Sequence, residues 1–115
     1  MRVLVTARRF DQAIAAADQF RLRYPGDARL PEVQVVRARL LCALPGRSAA
    51  AVETFQEVVA MEAASAQVRQ EALFAMAACQ NASGDRAGAE ASWRLYLERF
   101  PDGAHAEEAR RAWQP

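Results

Sequence analysis

Apolar residues recur at helical spacing along almost the whole chain. Phe10, Ala13, Ile14, Ala17 and Phe20 lie three and four residues apart, the spacing that gathers side chains on one face of an α-helix. Arg9, Asp11, Gln12, Asp18 and Gln19 occupy the other side. Pro25 disfavours helical geometry in the residue before it, so this helix is predicted to stop at Tyr24. Asp27 then offers an N-cap, and Pro31 is tolerated in the first turn of a second helix. Val33, Val36, Leu40 and Leu44 continue the apolar face until Pro45-Gly46 ends it. A third helix is predicted from about Ser48 to Met61, with Val52, Phe55, Val58 and Val59 inward. A fourth runs from about Ser65, a cap candidate, to Ala82, with Val68, Leu73, Phe74, Met76 and Cys79 mostly inward. In Ser83-Gly84-Asp85 the glycine suits a left-handed helix end and the aspartate starts the next helix. The last hairpin is predicted over Arg86 to Phe100 and Ala104 to Trp113. No useful length alternates at period two, so the fold class is all-α.

These helices repeat. Tyr24-Pro25-Gly26-Asp27 matches Phe100-Pro101-Asp102-Gly103 at a spacing of 76 residues, and Gly46 and Gly84 stand 38 apart, half of it. In that register Ala13, Ala51 and Ala89 correspond, as do Ala17, Phe55 and Trp93. Phe20, Val58 and Tyr96 form a third set, and Val36 and Phe74 a fourth. Each helix has too narrow an apolar face to stand alone, but stacked helix pairs bury a continuous core. The alanines are expected to let helices approach closely, while Phe55, Trp93 and Tyr96 fill the space between layers. One domain over 1–115 follows: a partial hairpin over 9–46, a hairpin over 47–84, and a hairpin with a terminal capping helix over 85–115. Met1 to Arg8 is too short for a full first helix, so the chain reads as starting in mid-repeat, with an N-terminal end to be covered by a partner or a missing repeat.

The stretch from Ala72 to Asp85, continuing to Ala89, Trp93, Tyr96 and Pro101, resembles a tetratricopeptide repeat. That family places a large apolar residue, an apolar–small pair and a turn glycine in its first helix, matched by Leu73, Met76-Ala77 and Gly84. Its second helix carries a small residue, an aromatic, a packing residue and a closing proline, matched by Ala89, Trp93, Tyr96 and Pro101. The preceding repeat fits at Gly46, Ala51, Phe55 and Val58, but has Arg39 where a small residue is usual and Ala63 where proline is usual. The resemblance implies an α-solenoid of about six helices in a right-handed superhelix, acting as a scaffold that binds another protein. The 38-residue period and the aromatic-Pro endings are similar to repeats of bacterial envelope proteins, such as outer-membrane assembly lipoproteins and cell-division coordinators, and to repeat tails of membrane-bound regulators. By the same resemblance the groove-facing positions are Val33, Val36, Leu40 and Leu44 in one repeat, and Glu71, Phe74, Ala78 and Asn81 in the next, with Ala109 and Ala112 following. An open groove this apolar suits an apolar or amphipathic partner helix. The alternative is that these residues are covered by the chain's own last helix or by a second copy.

Composition narrows the chemistry. Hydrophobic residues make up 52% and charged residues 25%, a globular balance. The net charge is +1, and the Arg pairs Arg8-Arg9, Arg21/Arg23, Arg37/Arg39 and Arg110-Arg111 are interleaved with acids, which argues for solvated faces rather than a nucleic-acid stripe. No run reaches the length of a membrane helix. The N-terminal segment does not read as a secretory signal, so the chain as it stands reads as cytoplasmic, and as periplasmic if it is a fragment of an envelope protein. Cys42 and Cys79, inside apolar helical stretches, are expected to be small buried hydrophobes rather than a disulfide. His105 is far along the chain from both, which disfavours a metal site, and is expected to be exposed in the last helix's first turn. Glu53/Glu57 and Glu107-Glu108 read as solvated surface, the latter suiting a helix start. With no phosphate loop, dinucleotide fingerprint or nucleophile motif, neither an enzyme nor a cofactor is expected.

Overall fold

The computed structural model describes residues 2–113. Among them six α-helices follow one another: α1 (Arg2–Arg23), α2 (Leu30–Ala43), α3 (Ser48–Ala60), α4 (Ala66–Ala82), α5 (Arg86–Arg99) and α6 (Ala106–Ala112). Each packs on the next as a sequential hairpin, and α2 also touches α4 directly. The thickness of 19 Å is that of two helix diameters, so the stack is two helices deep.

The turn chemistry lies where the sequence puts it. Gly46 and Gly84 adopt φ of 73° and 90°, the left-handed region that closes a helix without a Cβ clash. The Ser65 hydroxyl accepts from the Val68 amide at 3.1 Å, and the Asp85 carboxylate accepts from the Gly88 amide at 3.0 Å, so both are true N-caps. Pro31 sits in the first turn of α2. Asp27 acts differently from the expected cap. Its carboxylate accepts from the Arg29 amide at 2.8 Å and from the Arg29 guanidinium, fixing the turn before α2 rather than the helix itself. The first helix begins at Arg2, not near Arg9. Residues 2–9 contain neither Gly nor Pro, and a helix already docked through Ile14 and Ala17 extends at little cost.

Ala51 and Ala89 are fully buried at helix contacts, and Phe55, Val58, Trp93 and Tyr96 fill the core around them. Ala13, their register mate, is exposed, against expectation. The reason is positional: α3 packs between α2 and α4 and α5 between α4 and α6, whereas α1 packs on α2. Helix α2 turns a different stripe inward from the one its sequence suggested. Leu30, Val35, Ala38 and Leu41 are buried, with Gln34 the polar exception, while Val33 and Leu40 are half-buried and Val36 is exposed. Contact with α1, α3 and α4 at once selects the buried arc, and a single-helix pattern carries no record of three neighbours. Arg37 lies in that arc and satisfies its charge across helices, donating to Asp18 of α1 at 2.8 Å and to Thr54 of α3 at 2.7 Å.

The two cysteines are not free hydrophobes. Cys42 and Cys79 form a disulfide between the last turn of α2 and α4, with Cα atoms 6.0 Å apart. Their separation of 37 residues is one short of the repeat, so stacking places them near each other on adjacent equivalent helices. The period itself held that information.

Candidate partner-binding groove

Where α2 and α4 run side by side they leave two adjoining depressions. The first, about 390 Å³, is lined by Glu32, Val35, Val36, Arg39, Ser65, Gln67, Val68 and Glu71. The second, about 320 Å³, is lined by Arg39, Cys42, Ala43, Phe55, Ala75, Ala78, Cys79 and Ala82. Arg39 borders both, and its guanidinium donates to the Glu71 carboxylate at 3.3 Å, laying an ion pair from α2 to α4 across the junction. One end of the groove is therefore mixed, with valines among charges. The other end is almost wholly apolar and has the disulfide in its wall.

The residues singled out from the sequence divide between groove and core. Val36 is 55% exposed and lines the first depression together with Glu71. Ala78 is exposed in the second, and Asn81 is exposed one turn further along α4. Val33 and Leu40 are half-buried and line neither depression. Leu44 belongs to the core, and so does Ala109, which is fully buried, with Ala112 half-buried beside it. α6 carries these alanines against α5, where small residues permit a close crossing.

Phe74 is taken up by the end of the chain. The His105 ring stacks on it with centroids 4.3 Å apart, and Tyr96 meets it edge-on. His105 is thus half-buried rather than exposed as its place in the first turn suggested. Its Nε2 lies 3.3 Å from Glu71 and its Nδ1 3.5 Å from Glu108, so one imidazole touches α4 and α6 together. Beneath it the Tyr96 hydroxyl accepts from the His105 amide at 2.9 Å and donates to the Gln70 side-chain oxygen. That same oxygen accepts from the Ala104 amide at 2.7 Å. Burial pushes the Tyr96 phenol above its ordinary 10.0, with nearby Glu71 and Glu108 acting in the same direction. The phenol therefore stays a donor until well into alkali. Gln70 escaped the sequence reading because, between Arg69 and Glu71 early in a helix, it looks like surface.

Among the described residues no three His, Cys, Asp or Glu side chains come together as a metal-holding group, and no helix is long and apolar enough to cross a membrane. What α2 and α4 offer is a partly apolar trough beside the His105 cluster. Six helices packed as sequential hairpins define the class of helical-repeat folds. More particularly, residues 71–103, covering most of α4, all of α5 and the turn after it, match the tetratricopeptide repeat family. Repeats of that family form protein–protein interaction modules in general and are typically non-catalytic. No curated protein and no solved structure matches the chain.

Proposed function

We propose that this chain is a binding scaffold that takes an apolar or amphipathic helix of a partner protein along the α2–α4 groove. The observation that carries the reading is Val36. It is one of the few large apolar side chains left exposed, and it lies at the mouth of the larger depression opposite Val68. A partner helix could set one apolar residue between these valines and run its next turn over Ala78 and Ala82, with Arg39 and Glu32 available to polar positions on its flanks. Phe74, being spent on His105, is a poor probe of binding. The test is Val36→Glu combined with Ala78→Glu, both at exposed sites. Partner capture should fall at least about tenfold while thermal stability stays within about 0.5 kcal/mol of the parent. Undiminished capture by this folded double variant would remove the groove from the proposal.

A second reading rests on the bare face of α1. Ala13 is exposed where its register mates Ala51 and Ala89 are fully buried, and Tyr24, just past the end of α1, is 52% exposed. A helix of a second copy, or of a neighbouring repeat in a larger protein, would fit that face as α2 and α4 fit α3. Light scattering distinguishes the readings: a stable dimer that Ala13→Glu returns to monomer favours self-association, and a monomer at high concentration favours the adaptor.

The disulfide bears on location, since such bonds persist in oxidising compartments and are rare in the cytoplasm. It supports the periplasm or another extracytoplasmic space over the cytoplasm. Together with the 38-residue period it fits a module of a bacterial envelope protein or a membrane-bound regulator.

A further inference from the structure

We propose that the Cys42–Cys79 disulfide is a redox-operated latch on this groove, open to attack by a dithiol while the domain stays folded. Only the consequence for a partner rests on the groove reading above. Reach comes first. Both cysteines line the 320 Å³ depression, so the S–S bond forms part of its wall instead of being sealed behind side chains. Cys42 is half-buried, whereas Cys79 is 3% exposed, so the open approach is onto the Cys42 sulfur. Ala43, Ala78 and Ala82 at the rim are exposed and too small to screen it, and Arg39, the long side chain on this border, is engaged with the Glu71 carboxylate at 3.3 Å.

The chemistry is thiol–disulfide exchange with a dithiol as the named co-reactant. A thiolate of the dithiol bonds to Sγ of Cys42, the S–S bond breaks, and its electron pair leaves on Sγ of Cys79, which takes up a proton. The second thiol of the donor then loses its proton, closes on the mixed disulfide and releases Cys42 as a thiolate, which takes up a proton in turn. The net result is one dithiol oxidised to a disulfide and one disulfide reduced to two thiols, a transfer of two electrons.

The consequence follows from what the bond joins. Beyond the Arg39–Glu71 ion pair, which is largely solvent-exposed and worth little, the disulfide is the bond that ties α2 to α4 on the groove side. α3 still packs on both α2 and α4, and the two helices also touch directly, so the stack stays folded without the bond. Reduction removes only the covalent tether, which lets the two groove walls open locally at their Cys42–Cys79 end. The oxidised form presents a fixed apolar trough, and the reduced form loses it.

The test reduces the oxidised protein with dithiothreitol in native buffer, counts free thiols by alkylation and mass spectrometry, and follows amide exchange along the chain. Access in the folded state gives a rate proportional to dithiothreitol concentration, slowed at least about tenfold by Ala78→Trp or Ala82→Trp, either of which fills the depression. Reduction should then raise exchange in α4 and the end of α2 by about tenfold or more, with α5 and α6 little changed. A rate that saturates at the global unfolding rate and ignores both tryptophans would overturn the latch, as would reduced protein with unchanged exchange in α2 and α4. Failure of the Val36→Glu/Ala78→Glu test refutes the partner groove and leaves these kinetics where they are.

Discussion

Removing both sulfurs, as Cys42→Ala with Cys79→Ala, is expected to lower the stability of the domain by roughly 3–4 kcal/mol. The bond joins residues 37 apart, and the segment between them holds all of α3. Cross-linking a loop of that length removes a large set of extended conformations from the unfolded ensemble, while the folded state already has the two helices in contact. For a chain of this size the loss corresponds to about 12–16 °C in Tm. The unfolded variant is also less compact, so its denaturant m-value should rise. Calorimetry of the parent with and without reductant, beside the double variant, separates the contributions. The reduced parent should melt near the variant, and the variant should ignore reductant. Equal melting of oxidised and reduced parent would show that the bond constrains nothing the fold does not already fix.

How much of this was legible beforehand differs between the fold and the site. The six helices follow from local rules, because a proline, a left-handed glycine or a capping side chain acts within a few residues of itself. The core registers at Ala51/Ala89 and at Phe55/Trp93 follow from the repeat, which reports tertiary neighbours indirectly: residues one period apart sit in like surroundings. That inference fails at the edge of the stack, where Ala13 has the sequence of a contact and no helix against it. It also fails to assign faces within α2. Val36 and Leu44 share an apolar stripe in the sequence, yet one lies on the surface and the other in the core, because three neighbouring helices decide which arc is covered. The His105 cluster was out of reach for a different reason. Gln70, Tyr96 and His105 come from three elements, and their meeting depends on how the turn after α5 returns toward α4. The disulfide was legible in principle, since a spacing close to one period on equivalent helices is itself a proximity signal, but cysteine count and apparent compartment pointed the other way.

Phe55→Ala is expected to cost about 3–5 kcal/mol, a large part of the 5–15 kcal/mol typical of a whole domain. Phe55 is 1% exposed, near the middle of α3, the helix that packs between α2 and α4, and it contributes to the same depression wall as both cysteines. Deleting its ring opens a void that the surrounding helices are poorly placed to fill, because the disulfide holds α2 and α4 at their present spacing. Phe20→Ala provides the contrast. That ring is half-buried in α1, in tilted contact with Tyr24 and covered by the Arg29 guanidinium at 5.5 Å, so its loss should cost no more than about 1–2 kcal/mol. A stack of nearest-neighbour hairpins predicts this ordering, since an interior helix closes two interfaces and an end helix one. Urea titration of the oxidised proteins measures both. If collapse around the void is what the disulfide prevents, the cost of Phe55→Ala should shrink when the bond is reduced, with a coupling of about 0.5–3 kcal/mol in the double-mutant cycle with the cysteine pair. Strict additivity would mean that the ring and the bond stabilise the α2–α4 wall independently, and equal costs at Phe20 and Phe55 would place the centre of the core nearer α1 than the packing of α3 indicates.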